Sequence, residues 1–177
     1  MHFLKQYTEN VVKYDLINKF QYKLITKIPT LHFITLSFKL KRWNIKLLIS
    51  SLAALELITL QKSTLTKSNV SNISFKIRKG QPIGCKVTLR KIKMNSFLFK
   101  ILNKNLTKLT FKNTEKNNLF SIKINNILIF KELEQNYQFF KNLTNLNINI
   151  KTENCTFKEF VFLINSYKFI YKNKMQT

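Results

Sequence analysis

The sequence predicts an α+β fold: a mostly antiparallel sheet with helices packed on one face, the other face polar and basic. Three observations carry that reading. Residues 31–41, LHFITLSFKLK, alternate with period two, apolar at Ile34, Leu36, Phe38 and Leu40. Residues 86–91, KVTLRK, alternate again, with Val87 and Leu89 inward and Lys86, Thr88 and Arg90 outward. Other stretches carry apolar residues at helical spacing, and no regular βαβ repeat links them.

Taken in order, Leu4, Tyr7, Val11, Val12, Leu16 and Phe20 predict an opening helix over 4–20. Pro29 resets the chain before the strand of 31–41, whose second face carries Thr35, Ser37, Lys39 and Lys41. A helix at about 44–58 follows, its stripe read as Ile45, Leu48, Ile49, Leu52 and Leu55 packing on the sheet. LQKSTLTK (60–67) reads as a short strand, and 68–80 turns from polar to alternating through Ile73, Phe75 and Ile77. Met94, Phe97, Leu98 and Ile101 mark a helix over 94–103, and the polar 103–118 reads as a loop. FSIKINNILIF (120–130) and LNINIKT (146–152) are strands by alternation. Thr156 with Glu159 forms a capping box before a helix with the face Phe157, Phe160, Val161, Ile164 and Tyr167. The whole, residues 1–177, is expected to be a single domain, with its core over 31–170.

Charge narrows the function. The chain has 31 Lys and Arg against 8 Asp and Glu, a formal +23, with 45% hydrophobic residues, too many for a disordered tail. Such an excess calls for a polyanionic partner, either nucleic acid or an anionic membrane. Only Arg42, Arg78 and Arg90 are arginine; the Lys, Asn, Ile and Phe usage is that of an AT-rich genome. Cys85 and Cys155 lack metal-ligand spacing, so no zinc site, redox pair or disulfide framework is expected. The longest apolar run, 45–60, is broken by Lys46 and Glu56 and is too short to span a bilayer.

Both glycines and one of the two prolines fall in RKGQPIGCKVTLRK (78–91). Gly80 and Gly84 are expected to permit backbone conformations costly elsewhere, Pro82 to stiffen the turn, and the strand to restart at Lys86. The turn matches neither glycine-rich phosphate motif. His2 and His32 belong to no recognisable constellation, and the acidic residues show no paired pattern. The residues therefore point away from an enzyme, and no cofactor or metal is expected.

RKGQPIGCKVTLRK resembles the R-x-G-x-P-I-G-x-K-V-T-L-R signature of ribosomal large-subunit protein five, a family that binds 5S ribosomal RNA. TLQKSTLTKS (59–68) is similar to the family's T-G-Q-K-P-x-x-T-x-A, and SIKINNILIFKEL to its G-I-x-E-Q-x-I-F-P-E-I. Residues 4–36 look like its opening helix, its F-x-Y-K turn and the I-P strand entry, and LNINIKTENCTFKEFVFLINSYKF like its closing strand and helix. The resemblance covers nearly the whole chain in the same order.

The resemblance implies contacts to 5S ribosomal RNA by Gln61, Thr88 and Arg90 on the sheet, with Lys62 beside them. Ser37 stands where the family commonly has Asn, and Lys39 and Lys41 replace glycines, which shifts this end toward phosphate contacts that position more than they specify. Leu60 replaces the glycine of T-G-Q-K-P, and Ser63 its proline. The loop between the strands implies a projection toward P-site tRNA, with Lys76, Arg78, Lys79 and Gln81 on or near it. The implied partners are 5S rRNA where the organelle has one, large-subunit rRNA, P-site tRNA, neighbouring ribosomal proteins and, across an intersubunit bridge, a small-subunit head protein. The 103–118 segment is shorter than the family's and Lys/Asn-rich, which implies a reduced or rebuilt bridge.

The opening helix leaves almost no room for a presequence, and its Glu9 and Asp15, without Arg, are unlike a transit peptide. With the AT-type composition, this points to synthesis inside an organelle, a mitochondrion ahead of a plastid, and to a mitochondrial ribosome. The alternative reading is a peripheral protein laying Lys-rich faces on anionic lipid, which would show apolar anchors beside the charges of an amphipathic helix. The apolar helix faces are instead expected to pack on the sheet. An enzyme acting on RNA is a third reading, and it lacks a site.

Overall fold

A computed structural model describes residues 3–40, 43–103, 111–114 and 119–167. The helices are α1 (Phe3–Tyr7), α2 (Lys13–Phe20), α3 (Ile45–Thr59), α4 (Lys91–Asn103), α5 (Lys131–Glu134), α6 (Tyr137–Phe140) and α7 (Phe157–Ser166). The strands are β1 (Thr30–Lys39), β2 (Thr64–Lys67), β3 (Pro82–Leu89), β4 (Phe111–Thr114), β5 (Leu119–Ile124) and β6 (Leu146–Glu153). They hydrogen-bond in the order β2-β3-β1-β6-β5-β4, with β2–β3 and β4–β5 antiparallel. The fold is α+β, as expected. The chain divides into two compact units, each assembled from separate stretches: Met1–Ile34, Arg90–Ile122 and Asn149–Thr177, then Thr35–Leu89 and Lys123–Ile148.

In the first unit, α1 and α2 are joined by a π turn, Thr8–Val12. The wider turn shifts the apolar register, so that Leu4, Val12 and Leu16 are buried while Val11 is exposed. α4 buries Met94, Phe97, Leu98 and Ile101, the stripe its sequence predicts. The Thr156–Glu159 capping box is formed at α7. Glu159 is buried there and accepts from the Tyr22 hydroxyl at 2.6 Å, while the Asn154 amide donates to the Thr26 carbonyl at 2.9 Å. β4 lies in a segment expected to be a loop; the rest of that segment beyond Asn103 lies outside the described residues.

The second unit packs α3 on β3 and places α5 and α6 against α3. Asn44 caps α3, its side-chain oxygen accepting from the Lys46 and Leu47 amides. The buried stripe of α3 is Leu48, Ser51, Ala54, Leu55 and Ile58, whereas Ile45 and Ile49 are 52% and 60% exposed. The expected stripe is thus corrected by a rotation. Ser51 and Ala54 are small enough for close approach to a sheet, and the Cys85 thiol donates to the Ser51 hydroxyl at 3.3 Å.

The glycine turn also differs from expectation. β3 begins at Pro82, so Gly84 lies within the strand, opposite Thr66 of β2. A Cβ at Gly84 would collide with the Phe38 carbonyl oxygen and lie 2.9 Å from Thr66 Oγ1, so glycine serves close approach there. Gly80, at φ +84 with open space around it, is the position that needs a left-handed backbone.

Candidate nucleic-acid interface

In the second unit the candidate residues sit on β1, after α3 and along β3. Along β1 the even positions Ile34, Leu36 and Phe38 are fully buried, whereas Ser37 is half-buried and Lys39 exposed. The pleat puts Ser37 and Lys39 on the side opposite those apolar residues. Lys41 lies outside the described residues. On β3, Cys85, Val87 and Leu89 are buried, Thr88 is half-buried and Lys86 is exposed. Gln61 and Thr88 are brought together, the Gln61 amide nitrogen donating to the Thr88 carbonyl at 3.2 Å. Lys62 beside it is exposed. In the first unit Arg90, directly after β3, is exposed, with its guanidinium carbon 5.6 Å from the Phe33 ring centroid.

The segment 68–81 is a finger closed by its own hydrogen bonds. At its neck Ser68 N–H donates to the Gln81 carbonyl and Gly80 N–H to the Ser68 carbonyl, both at 2.9 Å. Asn72 and Ile77 exchange backbone bonds at 2.8 and 2.9 Å, and Lys76 N–H closes the tip on the Ile73 carbonyl at 3.0 Å. Lys76 turns this tip with φ 54. Lys76, Arg78 and Lys79 are exposed. Gln81 is half-buried, and its side-chain oxygen accepts from the Arg78 N–H at 2.8 Å, so it helps shape the finger.

The alternating run of Ile73, Phe75 and Ile77 does not form a strand with a covered face. Ile73 is 94% exposed at the tip and Phe75 also faces solvent. The finger therefore exposes Ile73 and Phe75 at a tip shared with Lys76, with Arg78 and Lys79 following it. Lys67 and Lys86 are also exposed, on β2 and β3. Alternation along β3 marks Lys86 as outward; nothing in the sequence marks the tip as uncovered.

Among the described residues no group of three or more His, Cys, Asp or Glu is arranged to hold a metal, and no helix is long and apolar enough to cross a membrane. The Cys85 and Cys155 thiols are buried, and burial pushes both up, Cys155 to about 12. Such thiols are poor nucleophiles at neutral pH.

A basic strand face and a self-bonded cationic finger suit a polyanion as partner, and comparison with known proteins gives the family. Residues 82–171 match the model of the C-terminal part of the ribosomal L5 family. The chain is 33% identical to the large ribosomal subunit protein uL5 of Blochmanniella floridana, over 96% of this chain and 93% of that one. It is 35% identical to uL5m of Reclinomonas americana, over 95% and 97%. Against uL5 of Clostridium acetobutylicum it is 38% identical over 74% and 77%. The chain belongs to the ribosomal L5 family, which is structural and not enzymatic.

Proposed function

We propose that the chain is a structural RNA-binding constituent of the large ribosomal subunit. In this reading Ser37, Lys39, Lys41, Gln61, Lys62, Thr88 and Arg90 meet large-subunit rRNA in the central protuberance, with 5S rRNA where the organelle retains one. The 68–81 finger, through Lys76, Arg78 and Lys79 and its exposed tip, reaches P-site tRNA. A small-subunit head protein and neighbouring ribosomal proteins complete its partners.

The observation that carries the reading is the charge excess on these elements. With 31 basic against 8 acidic residues, the chain's own acids cannot neutralise its cations. Lys39, Lys62, Lys86, Arg90 and the finger's cations are all exposed. RNA phosphates meet that excess, and released counterions drive the association. The exposed apolar residues of α3, Ile45, Ile49 and Leu57, share their helix with Lys46 as its sole basic residue. That is unlike the Lys-rich amphipathic face a membrane-surface protein presents.

The compartment is the mitochondrial matrix, by synthesis inside the organelle. AT-type composition and likeness to the mitochondrial form uL5m support it. The test is to isolate the chain with its particle on a gradient, crosslink it, and sequence the attached RNA. Crosslinks to large-subunit rRNA are expected from the sheet residues, to 5S rRNA where one exists, and to tRNA from the finger. Recovery without ribosomal RNA overturns the proposal.

A further inference from the structure

We propose that Phe33 is a positioning residue for RNA binding: it holds the Arg90 guanidinium in place just after β3. This rests on the reading that Arg90 contacts RNA.

Phe33 is half-buried on β1, on the pleat side that carries polar residues further along the strand. An unpartnered phenyl ring has little reason to stand on that side. Its partner is Arg90, whose guanidinium carbon lies 5.6 Å from the ring centroid, within cation–π range. The ring is braced in turn. His32 meets it edge-on, with centroids 5.1 Å apart and planes inclined by 66°. His32 Nδ1 is itself held by the Glu153 carboxylate at 2.6 Å. Glu153, His32, Phe33 and Arg90 thus form a chain of contacts that ends at an exposed cation.

The identity of that cation fits the geometry. Only three of the 31 basic residues are arginine, and one of them, Arg90, lies over the Phe33 ring. A guanidinium held near a ring still has N–H groups free to meet two acceptors at once, such as paired phosphate oxygens or the acceptor edge of guanine. An ammonium offers a point charge without that planar set of donors. A cation already ordered against a ring also loses less freedom when RNA arrives.

The test uses the full chain and purified large-subunit rRNA with its 5S rRNA, by filter binding at fixed salt. Phe33→Leu and Arg90→Lys are each expected to weaken binding about 3- to 10-fold, and Phe33→Tyr to retain it. Phe33→Leu added to Arg90→Ala should cause no further loss, because the ring acts through the arginine. Thermal unfolding of each variant confirms that it folds. Two results overturn the inference while leaving the RNA reading intact: Phe33→Leu binding like the parent while Arg90→Ala weakens, or the full Phe33→Leu loss persisting beside Arg90→Ala. Unchanged binding by Arg90→Ala instead removes Arg90 from the interface, and the role of Phe33 with it.

Discussion

The Gln61 side-chain amide donates to the Thr88 carbonyl across 3.2 Å, tying the turn that follows α3 to the end of β3. The two residues are 27 apart in sequence, so the bond fixes a long-range register. Gln61→Ala should cost about 1 kcal/mol, the usual net worth of one hydrogen bond. Urea unfolding measures it. Gln61→Glu removes the same donor and adds a negative charge where RNA is proposed to bind. It should match the alanine variant in stability yet bind rRNA more weakly. Equal rRNA binding by the two variants would place Gln61 away from phosphate.

The two glycines should respond differently to alanine. Gly84→Ala drives a methyl group into the Phe38 carbonyl oxygen, a backbone atom that cannot swing away. A loss of about 3 kcal/mol is expected, at the upper end for overpacking. Gly80→Ala meets nothing within 4 Å and bears only the left-handed backbone, about 1–2 kcal/mol. Denaturant midpoints for both variants give the order. The reverse order would refute the close-approach account.

Leu60 occupies a left-handed conformation, φ 52, at the C-terminal cap of α3, with its N–H on the Glu56 carbonyl at 2.8 Å. Its side chain is 77% exposed and contributes little burial. Leu60→Gly should therefore stabilise the chain by about 1 kcal/mol by relieving the strain. Leu60→Ala keeps the Cβ and should gain nothing. A melting temperature unchanged in both variants would show that the cap carries no strain.

These positions also show what sequence can and cannot reveal. The face of α4 was legible because its buried positions, Met94, Phe97, Leu98 and Ile101, form a single stripe. α3 is apolar nearly all round, with only Lys46 and Glu56 charged, so hydrophobicity could not choose its inner side. Close approach chose it, through Ser51 and Ala54. In the finger, alternation of Ile73, Phe75 and Ile77 was real, but a pattern of two faces does not say whether anything covers one of them. Alternation likewise placed Ser37, Lys39, Thr88 and Arg90 outward. The pairings Gln61–Thr88 and Phe33–Arg90 depend on three-dimensional register and leave no local trace.

The buried thiols give a check on the packing of both units. Cys85 lies in the second unit and Cys155 in the first, and burial raises both. With a pKa of about 12, Cys155 is thiolate to only about one part in ten thousand at pH 8. Iodoacetamide at pH 8 should modify neither thiol in the folded chain and both in urea. Fast native labelling of either would show its unit to be open.

Glu159 ties acid sensitivity to the first unit. Burial by itself pushes its carboxyl up, but the Tyr22 hydroxyl and the Thr156 amide and hydroxyl, at 2.6, 2.6 and 2.7 Å, hold it as the carboxylate and leave it lowered. A folded-state value below the unfolded one means the unfolded chain binds the proton more readily. The stabilisation is therefore complete above the ordinary glutamate range and is lost as pH falls through the lowered folded value. Glu159→Gln keeps part of the cap but removes the charge. It should cost about 1.5–3 kcal/mol at neutral pH, the range for hydrogen bonds to a charged group. Between pH 5 and pH 3 the parent should lose more stability than the variant, so their unfolding curves converge with acid. Tyr22→Phe, which removes one of the three donors, should fall between them at pH 7. Parallel curves down to pH 3 would mean that Glu159 is not held as a carboxylate in the fold.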